Sequence, residues 1–377
     1  MFNLHASLEL YQSSSTLNDN LNQLLSIFPT SPFLLTCLAL LSYHTKDFVT
    51  ADTHFSQLLA LHPHRLDSLD HYSNILYVMN LRPKLSFLAH LCSTIDKFRP
   101  ESCVVIGNYY SLLSSHEKAI QYFRRALTLD RSCLSAWTLM GHEYVELKNT
   151  HAAIESYRRA VDVNRRDYRA WYGLGQTYEV LEMHAYALWY YKRAAGLRPW
   201  DGKMWMAVGT CLQKMGRDIE GIKALKRALL ADSYYDAGVG SSFGSGRERN
   251  GAMDPEILLQ IAQMYERVED EGEARAYMEM CVAQEDGSNE NLETFNIHTD
   301  STSSDDESRP PATGNDTGTG VTAATSKARM WLARYAMRTG DHKRAMQLAT
   351  ELCQDGVEVE EAKALVREVR AKLGEVG

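Results

Sequence analysis

The chain has 377 residues, of which 45% are hydrophobic and 23% are charged, and its 40 basic and 48 acidic side chains give a net charge of −8. This acidic balance argues against nucleic acid as a partner, because binding to phosphates depends on an excess of basic side chains. No run of about 18 apolar residues is present, and the first residues lack the charged start and apolar core of a signal peptide, so we expect neither a membrane span nor secretion.

The seven cysteines are scattered through the sequence without any CxxC pair. Disulfide frameworks and zinc sites use closely spaced cysteines, whereas several of these fall on predicted helix faces that turn inward. We interpret them as reduced thiols of a protein of the nucleus and cytoplasm, with no disulfide and no structural zinc ion.

The N-terminal segment, residues 1–31, predicts helices at about 2–12 and 17–28, which fit a degenerate or partial helical repeat. From residue 32 to 235 the chain then repeats six times with a period of 34 residues and no gap, and three consecutive units share a tryptophan, at Trp137, Trp171 and Trp205. That period is the length of a tetratricopeptide repeat (TPR), a helix pair that buries its apolar faces by stacking on its neighbours. The sequence therefore predicts an all-α fold, a TPR superhelical solenoid of antiparallel helix pairs.

Small and bulky side chains occupy fixed positions of these units. The eighth position is small in all six, with Ala39, Ser73, Gly107, Gly141, Gly175 and Gly209. The twenty-fourth position is bulky in five, with Phe55, Phe123, Tyr157, Tyr191 and Leu225. Small residues permit close approach of two helices, so we expect the eighth position to press on the neighbouring pair. We interpret the periodic tryptophans as core side chains, and the basic pairs that recur on the second helices, such as Arg124–Arg125, as a solvated outer stripe.

The rest of the chain is less regular. Residues 236–254 read as a loop insert, 255–283 as a further TPR unit, and 327–377 as a final helix pair with a capping helix. The intervening segment, 284–326, is acidic and low in apolar residues, which predicts disorder. Within it, Ser303 and Ser304 precede three acidic residues and suit an acidophilic kinase, although an unmodified solvated segment is equally consistent with the pattern.

Motifs for catalysis are missing from the sequence. It has no Gly-rich phosphate loop, no GxSxG and no HExxH, and the pair His62 and His64 has no further ligand close in sequence. About 50 residues follow the acidic segment, too few for a catalytic domain. We therefore expect no enzymatic activity, no cofactor and no metal.

A groove along the first helices is the expected binding surface. Its central units present a mixture of acids, amides and an aromatic ring, namely Asn108, His142, Glu146, Tyr172 and Gln176, with Glu143 one residue past the inward position. Such a lining suits an extended peptide with a basic side chain, since an arginine can bind a carboxylate and an amide at once. A clamp for a chaperone's C-terminal carboxylates is disfavoured, because Val104 stands where the lysine of that clamp is needed.

Several stretches go beyond the general TPR pattern, namely Gly107–Leu112, Trp137–Tyr144 and Asn164–Glu179. They resemble the family of the eighth subunit of the anaphase-promoting complex, or cyclosome, which is the cell-division-cycle protein twenty-three family, with the closest match over about 66–235. The resemblance implies a non-catalytic scaffold of a ubiquitin ligase that drives exit from mitosis, with the other cyclosome subunits as partners.

In that family the groove receives a short arginine-containing motif of the activator protein, and the N-terminal repeats form a homodimer. Carried over to this sequence, Asn108 and Glu143 are expected to hold the arginine, and Tyr172 and Gln176 to flank it. Family members have further repeats before the point where this chain begins, so we expect an N-terminally truncated member in which most of the dimer-forming region is missing. A TPR adaptor of another intracellular assembly is the alternative.

Overall fold

The structure, a computed structural model of the chain, describes residue 6 and residues 15–234, 253–286, 320–355 and 359–375. The chain divides into two compact units, Met1–Arg198 and Pro199–Gly377. All regular secondary structure in the described ranges is α-helical, and the predicted all-α TPR fold of stacked helix pairs is confirmed. No described helix is both long enough and apolar enough to cross a membrane.

The first unit is a succession of helices paired in order along the chain. Its described helices are α1 (Ser15–Ile27), α2 (Pro32–His44), α3 (Phe48–Leu61), α4 (Leu69–Val78), α5 (Arg82–Ile95), α6 (Pro100–Leu112), α7 (His116–Leu129), α8 (Leu134–Glu146), α9 (Thr150–Val163), α10 (Tyr168–Val180) and α11 (His184–Leu197). Five of the six predicted units begin at the first residue of a helix. The unit predicted to begin at Leu66 is the exception, because its helix α4 begins only at Leu69. The delay has a local cause, since Ser68 holds a left-handed backbone conformation with φ of 62°.

The second unit continues the same pattern. Its described helices are α12 (Gly202–Lys214), α13 (Asp218–Tyr234), α14 (Pro255–Arg267), α15 (Glu271–Asp286), α16 (Ala323–Thr339), α17 (His342–Asp355) and α18 (Val359–Glu375). Residues 284–286 and 320–326, at the two ends of the segment predicted to be disordered, are described by the structure, and most of them are helical. Gln284 is a buried residue of α15, and a capping box formed by Thr322 and Thr325 starts α16. Ser303 and Ser304, the loop core at 235–252 and the first helix predicted at 2–12 lie outside the described residues, apart from residue 6.

Three of the four glycines at the eighth position, Gly107, Gly141 and Gly175, face an aromatic ring, and the fourth, Gly209, faces Leu225. A Cβ atom built on Gly141 would lie 2.6 Å from the ring of Tyr157, which is on the second helix of the same pair. One built on Gly173, in the next pair, would lie equally close to the other side of that ring. The close approach at the eighth position is thus within one pair, where we expected it between pairs, because the bulky twenty-fourth side chain fills the space between both helices.

The periodic tryptophans have a different place from the one predicted. Each is only half-buried, and each donates its indole N–H to the carbonyl oxygen six residues earlier in the connecting loop. The distances from Nε1 to oxygen are 3.0 Å for Trp137, 2.9 Å for Trp171 and 2.7 Å for Trp205. These indoles hold the loops between pairs in place. The interpretation as core side chains is wrong for Trp137 and Trp171 and holds only in part for Trp205, which also packs against a buried hydrophobic cluster.

The outer basic stripe is exposed, as expected, and it also joins neighbouring pairs. Arg124 donates to the hydroxyl of Tyr144 at 2.6 Å, and Arg158 donates to the hydroxyl of Tyr178 at 2.8 Å. In both cases the arginine is on the second helix of one pair and the tyrosine on the first helix of the next. The seven cysteines are free thiols, five of them buried.

Candidate peptide-binding groove of the first unit

The groove face is the surface of the first unit formed by the first helices α2, α4, α6, α8 and α10. Asn108, on α6, lies on this face with only 1% of its surface exposed. Its amide Nδ2 donates to Oγ of Ser73 and to Oδ1 of Asn74, both at 2.7 Å and both on α4. The amide oxygen Oδ1 of Asn108 accepts no hydrogen bond from the described residues, so it remains an acceptor for a ligand.

Glu143, on α8, turns back toward the preceding helix pair. Its Oε1 accepts a hydrogen bond from the hydroxyl of Ser111 at 2.6 Å, and its Oε2 lies 2.8 Å from Nδ1 of His116. Only 4% of Glu143 is exposed. Because Ser111 is three residues after Asn108 on α6, one helical turn ties both predicted arginine-binding residues together.

The remaining predicted groove residues lie apart from that pair. His142 is exposed and its Nδ1 lies 2.9 Å from the hydroxyl of Tyr157, a bulky core residue. Tyr172 is half-buried, with its ring centroid 5.4 Å from that of Tyr191. Glu146 and Gln176 are exposed on α8 and α10. The structure therefore relates Asn108 and Glu143 through Ser111, which lies one helical turn from Asn108 and donates to Glu143, and leaves the other four as a more open rim.

Sequence reasoning missed the residues that support Asn108. Asn74 occupies the same position of its unit as Asn108, 34 residues earlier, and this periodicity was a readable signal. The side-chain amide of Asn74 also lies near the hydroxyl of Tyr43, on α2. Burial raises the pKa of Tyr43, and the amide acts to lower it against this larger effect. A polar chain thus runs from Asn108 through Asn74 to Tyr43, which is 8% exposed.

Side chains of the fifth pair reach the first pair across the groove face. The guanidinium of Arg169 lies 4.8 Å from the ring centroid of Tyr43. Arg198 donates from Nη1 to the carbonyl oxygen of His44 at 3.1 Å, and its guanidinium lies 4.4 Å from the ring centroid of Tyr168. Between them, Ser135 donates to Oδ2 of Asp70 at 2.7 Å.

Burial at this crossing shifts the pKa values of two groups in opposite senses. Burial, together with the neighbouring side chains Arg169, His71 and Arg198, lowers the pKa of His44 to about 3. Burial raises the pKa of Asp167, which accepts hydrogen bonds from the Arg169 backbone N–H and from a threonine hydroxyl. The cluster therefore favours a neutral imidazole beside two fixed guanidinium groups.

No group of three or more histidine, cysteine, aspartate or glutamate side chains in the described ranges is arranged to hold a metal ion. His62 and His64 are both exposed.

Comparison with known proteins agrees with the repeat architecture. A family model described as anaphase promoting complex subunit 8 / Cdc23 matches residues 1–39, and tetratricopeptide-repeat models match residues 100–133 and 138–202. The chain is 44% identical over 356 residues to the anaphase-promoting complex subunit CDC23 of Saccharomyces cerevisiae, an alignment that covers 94% of the chain and 50% of the yeast protein. It is 50% identical over 112 residues to anaphase-promoting complex subunit 8 of Arabidopsis thaliana, covering 30% of the chain and 19% of the plant protein. The chain thus spans half the length of the yeast relative.

Among solved structures, the crystal structure of the APC/C hetero-tetramer Cut9-Hcn1 is similar, with a TM-score of 0.57 over 94% of this chain and 58% of that chain. Sequence identity in this comparison is 14%, so the likeness extends to the fold alone.

Proposed function

We propose, from the membership of this chain in the family of anaphase-promoting complex subunit 8 (Cdc23), that it is a non-catalytic scaffold subunit of that ubiquitin ligase in mitotic control. Its partners are the other subunits of the complex and an arginine-containing motif of the activator protein. Residence in the nucleus and cytoplasm belongs to the same proposal.

The juxtaposition of Asn108 and Glu143 supports the choice of an arginine ligand. The open acceptor Oδ1 of Asn108 and the carboxylate of Glu143 are held on one helical turn through Ser111. A guanidinium has five N–H donors in a planar fork and no acceptor, so it suits an amide oxygen and a carboxylate together. A lysine ammonium lacks that planar geometry.

Both acceptors are nearly inaccessible in this structure, at 1% and 4% exposure. Burial strengthens a charge-assisted hydrogen bond once it forms, because the surroundings are less polar than water. It also requires the groove face to widen before a peptide side chain enters. The affinity of the site is therefore set by the contacts and by the free energy of that opening together.

Affinity purification of the tagged chain, followed by mass-spectrometric identification of bound proteins, tests the assignment to the complex. We expect the other subunits to be recovered in stoichiometric amounts, and the activator protein to be lost in a Glu143→Gln variant that still recovers those subunits. Recovery of an unrelated set of proteins in place of these subunits supports the alternative, a TPR adaptor of another assembly.

A further inference from the structure

The chain places a guanidinium of its own on the groove face. Arg169 lies in the first turn of the fifth helix pair, and Tyr43 lies in the last turn of the first helix of the first pair. The 4.8 Å distance from the Arg169 guanidinium to the Tyr43 ring centroid therefore joins distant parts of the first unit. A cation over an aromatic face is attracted by the ring's negative charge density, and more so where both are partly withdrawn from water. Arg169 is half-buried and Tyr43 is buried.

Two further hydrogen bonds also join helix pairs that are not neighbours in the first unit. The bond from Arg198 to the carbonyl oxygen of His44 joins the fifth pair to the first, and the bond from Ser135 to Asp70 joins the fourth pair to the second. All three contacts involve side chains on the groove face or at its edge. Together they form a clasp, defined by Arg169, Arg198 and Ser135.

The clasp is linked to the candidate arginine site through polar neighbours. Asn108 donates to Asn74, and the Asn74 amide lies near the hydroxyl of Tyr43, whose ring faces the guanidinium of Arg169. Movement of Tyr43 therefore acts on Asn74, and through it on the orientation of the Asn108 amide. The ring that Arg169 covers and the amide that a ligand needs belong to one network.

We infer that Tyr43 is a second guanidinium site of the groove, that Arg169 occupies it in the unliganded chain, and that an arginine-bearing peptide must displace Arg169 to bind. This rests on the function proposed above and specifies how that groove is regulated. Only molecules in which the clasp is open can bind the peptide, so the apparent affinity is the intrinsic affinity multiplied by the fraction of such molecules. Removing Arg169 raises that fraction, and the factor expected for one partly buried cation–π contact is about threefold to tenfold.

The test uses the full chain and a fluorescein-labelled, blocked peptide with one arginine between apolar residues, followed by fluorescence anisotropy. We expect Arg169→Ala to bind this peptide about threefold to tenfold more tightly than the wild type. Arg169→Lys, which keeps the charge but loses the planar stacking group, is expected to show a smaller gain. Arg165→Ala removes an exposed arginine of the loop that precedes α10 and is the matched control, with unchanged affinity.

Arg198→Ala opens the clasp without touching Tyr43, so it provides an independent variant if Arg169→Ala melts at a lower temperature or fails to fold. A gain in affinity from either variant supports the inference. The inference is overturned if the wild type binds the peptide, Glu143→Gln abolishes this binding, and neither clasp variant strengthens it. That outcome leaves the proposed function standing. A peptide that binds none of the wild-type, Arg169→Ala and Arg198→Ala chains contradicts both.

Discussion

The hydroxyl of Ser111 donates a 2.6 Å hydrogen bond to Oε1 of Glu143, so the carboxylate is anchored to the helix that also carries Asn108. We expect Glu143→Gln to weaken binding of the arginine peptide by about tenfold or more. A hydrogen bond to a charged group contributes about 1.5–3 kcal/mol, and the neutral amide gives up that charge while keeping nearly the same shape. Isothermal titration calorimetry on the full chain measures the change.

Glutamine is the informative replacement because Glu143 is buried beside His116. A lysine there would bury a positive charge in a site without room for solvent, and the loss of binding would be confounded with unfolding. Glu155→Gln, which neutralises an exposed carboxylate on α9, is the control. An equal loss of affinity in both variants would show that net charge alone governs binding and would reject the site.

The period of 34 residues was enough to predict where most helices of the first unit begin. It is set by packing between consecutive helices, which is local in sequence, and prolines such as Pro32 and Pro100 mark helix starts independently. The same register placed Asn108 at an inward position and Glu143 one residue past an inward position, and the family resemblance paired the two. It did not show that Glu143 turns back to Ser111, because register fixes the face of a residue and leaves its rotamer open.

The contact between Arg169 and Tyr43 was beyond sequence reasoning for a different reason. It joins the first and fifth pairs, so it depends on small rotations between successive pairs that add up along the unit. No local pattern encodes that sum. The half-buried tryptophans were misassigned because a periodic aromatic residue can either pack in a core or form a hydrogen bond to a connecting loop. Only the position of the carbonyl group that accepts the indole N–H distinguishes these two roles.

The close approach of Gly141 to Tyr157 predicts a large effect from a single methyl group. Gly141→Ala adds a Cβ atom 2.6 Å from the ring, and we expect a loss of about 1–3 kcal/mol in the free energy of unfolding. Gly196→Ala is the matched helical control, since no atom lies within 4 Å of its added Cβ. That variant is expected to gain about 0.5–1 kcal/mol, because alanine is the better helix former. Thermal unfolding followed by circular dichroism compares them, and effects of the same sign would contradict the packing described.

The hydrogen bond from Trp171 to the carbonyl of Arg165 predicts a role for the indole N–H itself. Trp171→Phe keeps an aromatic ring but removes the donor, and we expect a loss of about 0.5–1.5 kcal/mol. Trp189→Phe is the control, because Trp189 is 57% exposed and its indole donates to no described residue. Urea denaturation with fluorescence detection measures both, and equal effects would mean that ring size alone matters at Trp171.

The depressed pKa of His44 predicts that the first unit loses stability in mild acid. In the folded chain the imidazole stays neutral down to about pH 3, while in the unfolded chain it takes up a proton near its ordinary pKa of 6.5. The unfolded state therefore binds more protons over this range. The stability that His44 contributes is complete above pH 6.5 and declines as the pH falls, by up to about 1.4 kcal/mol per pH unit.

His44→Gln removes the titrating group and isolates this effect. We expect the free energy of unfolding of the wild type, measured by urea denaturation, to fall relative to that of His44→Gln as the pH is lowered from 7.5 to 5. His90→Gln, on the exposed side of α5, serves as the surface control. A difference between wild type and His44→Gln that stays constant with pH would mean that His44 takes up its proton at the same pH in the folded and the unfolded chain. The clasp would then bring its cations together less closely than the distances indicate, since a third positive charge among them is unfavourable.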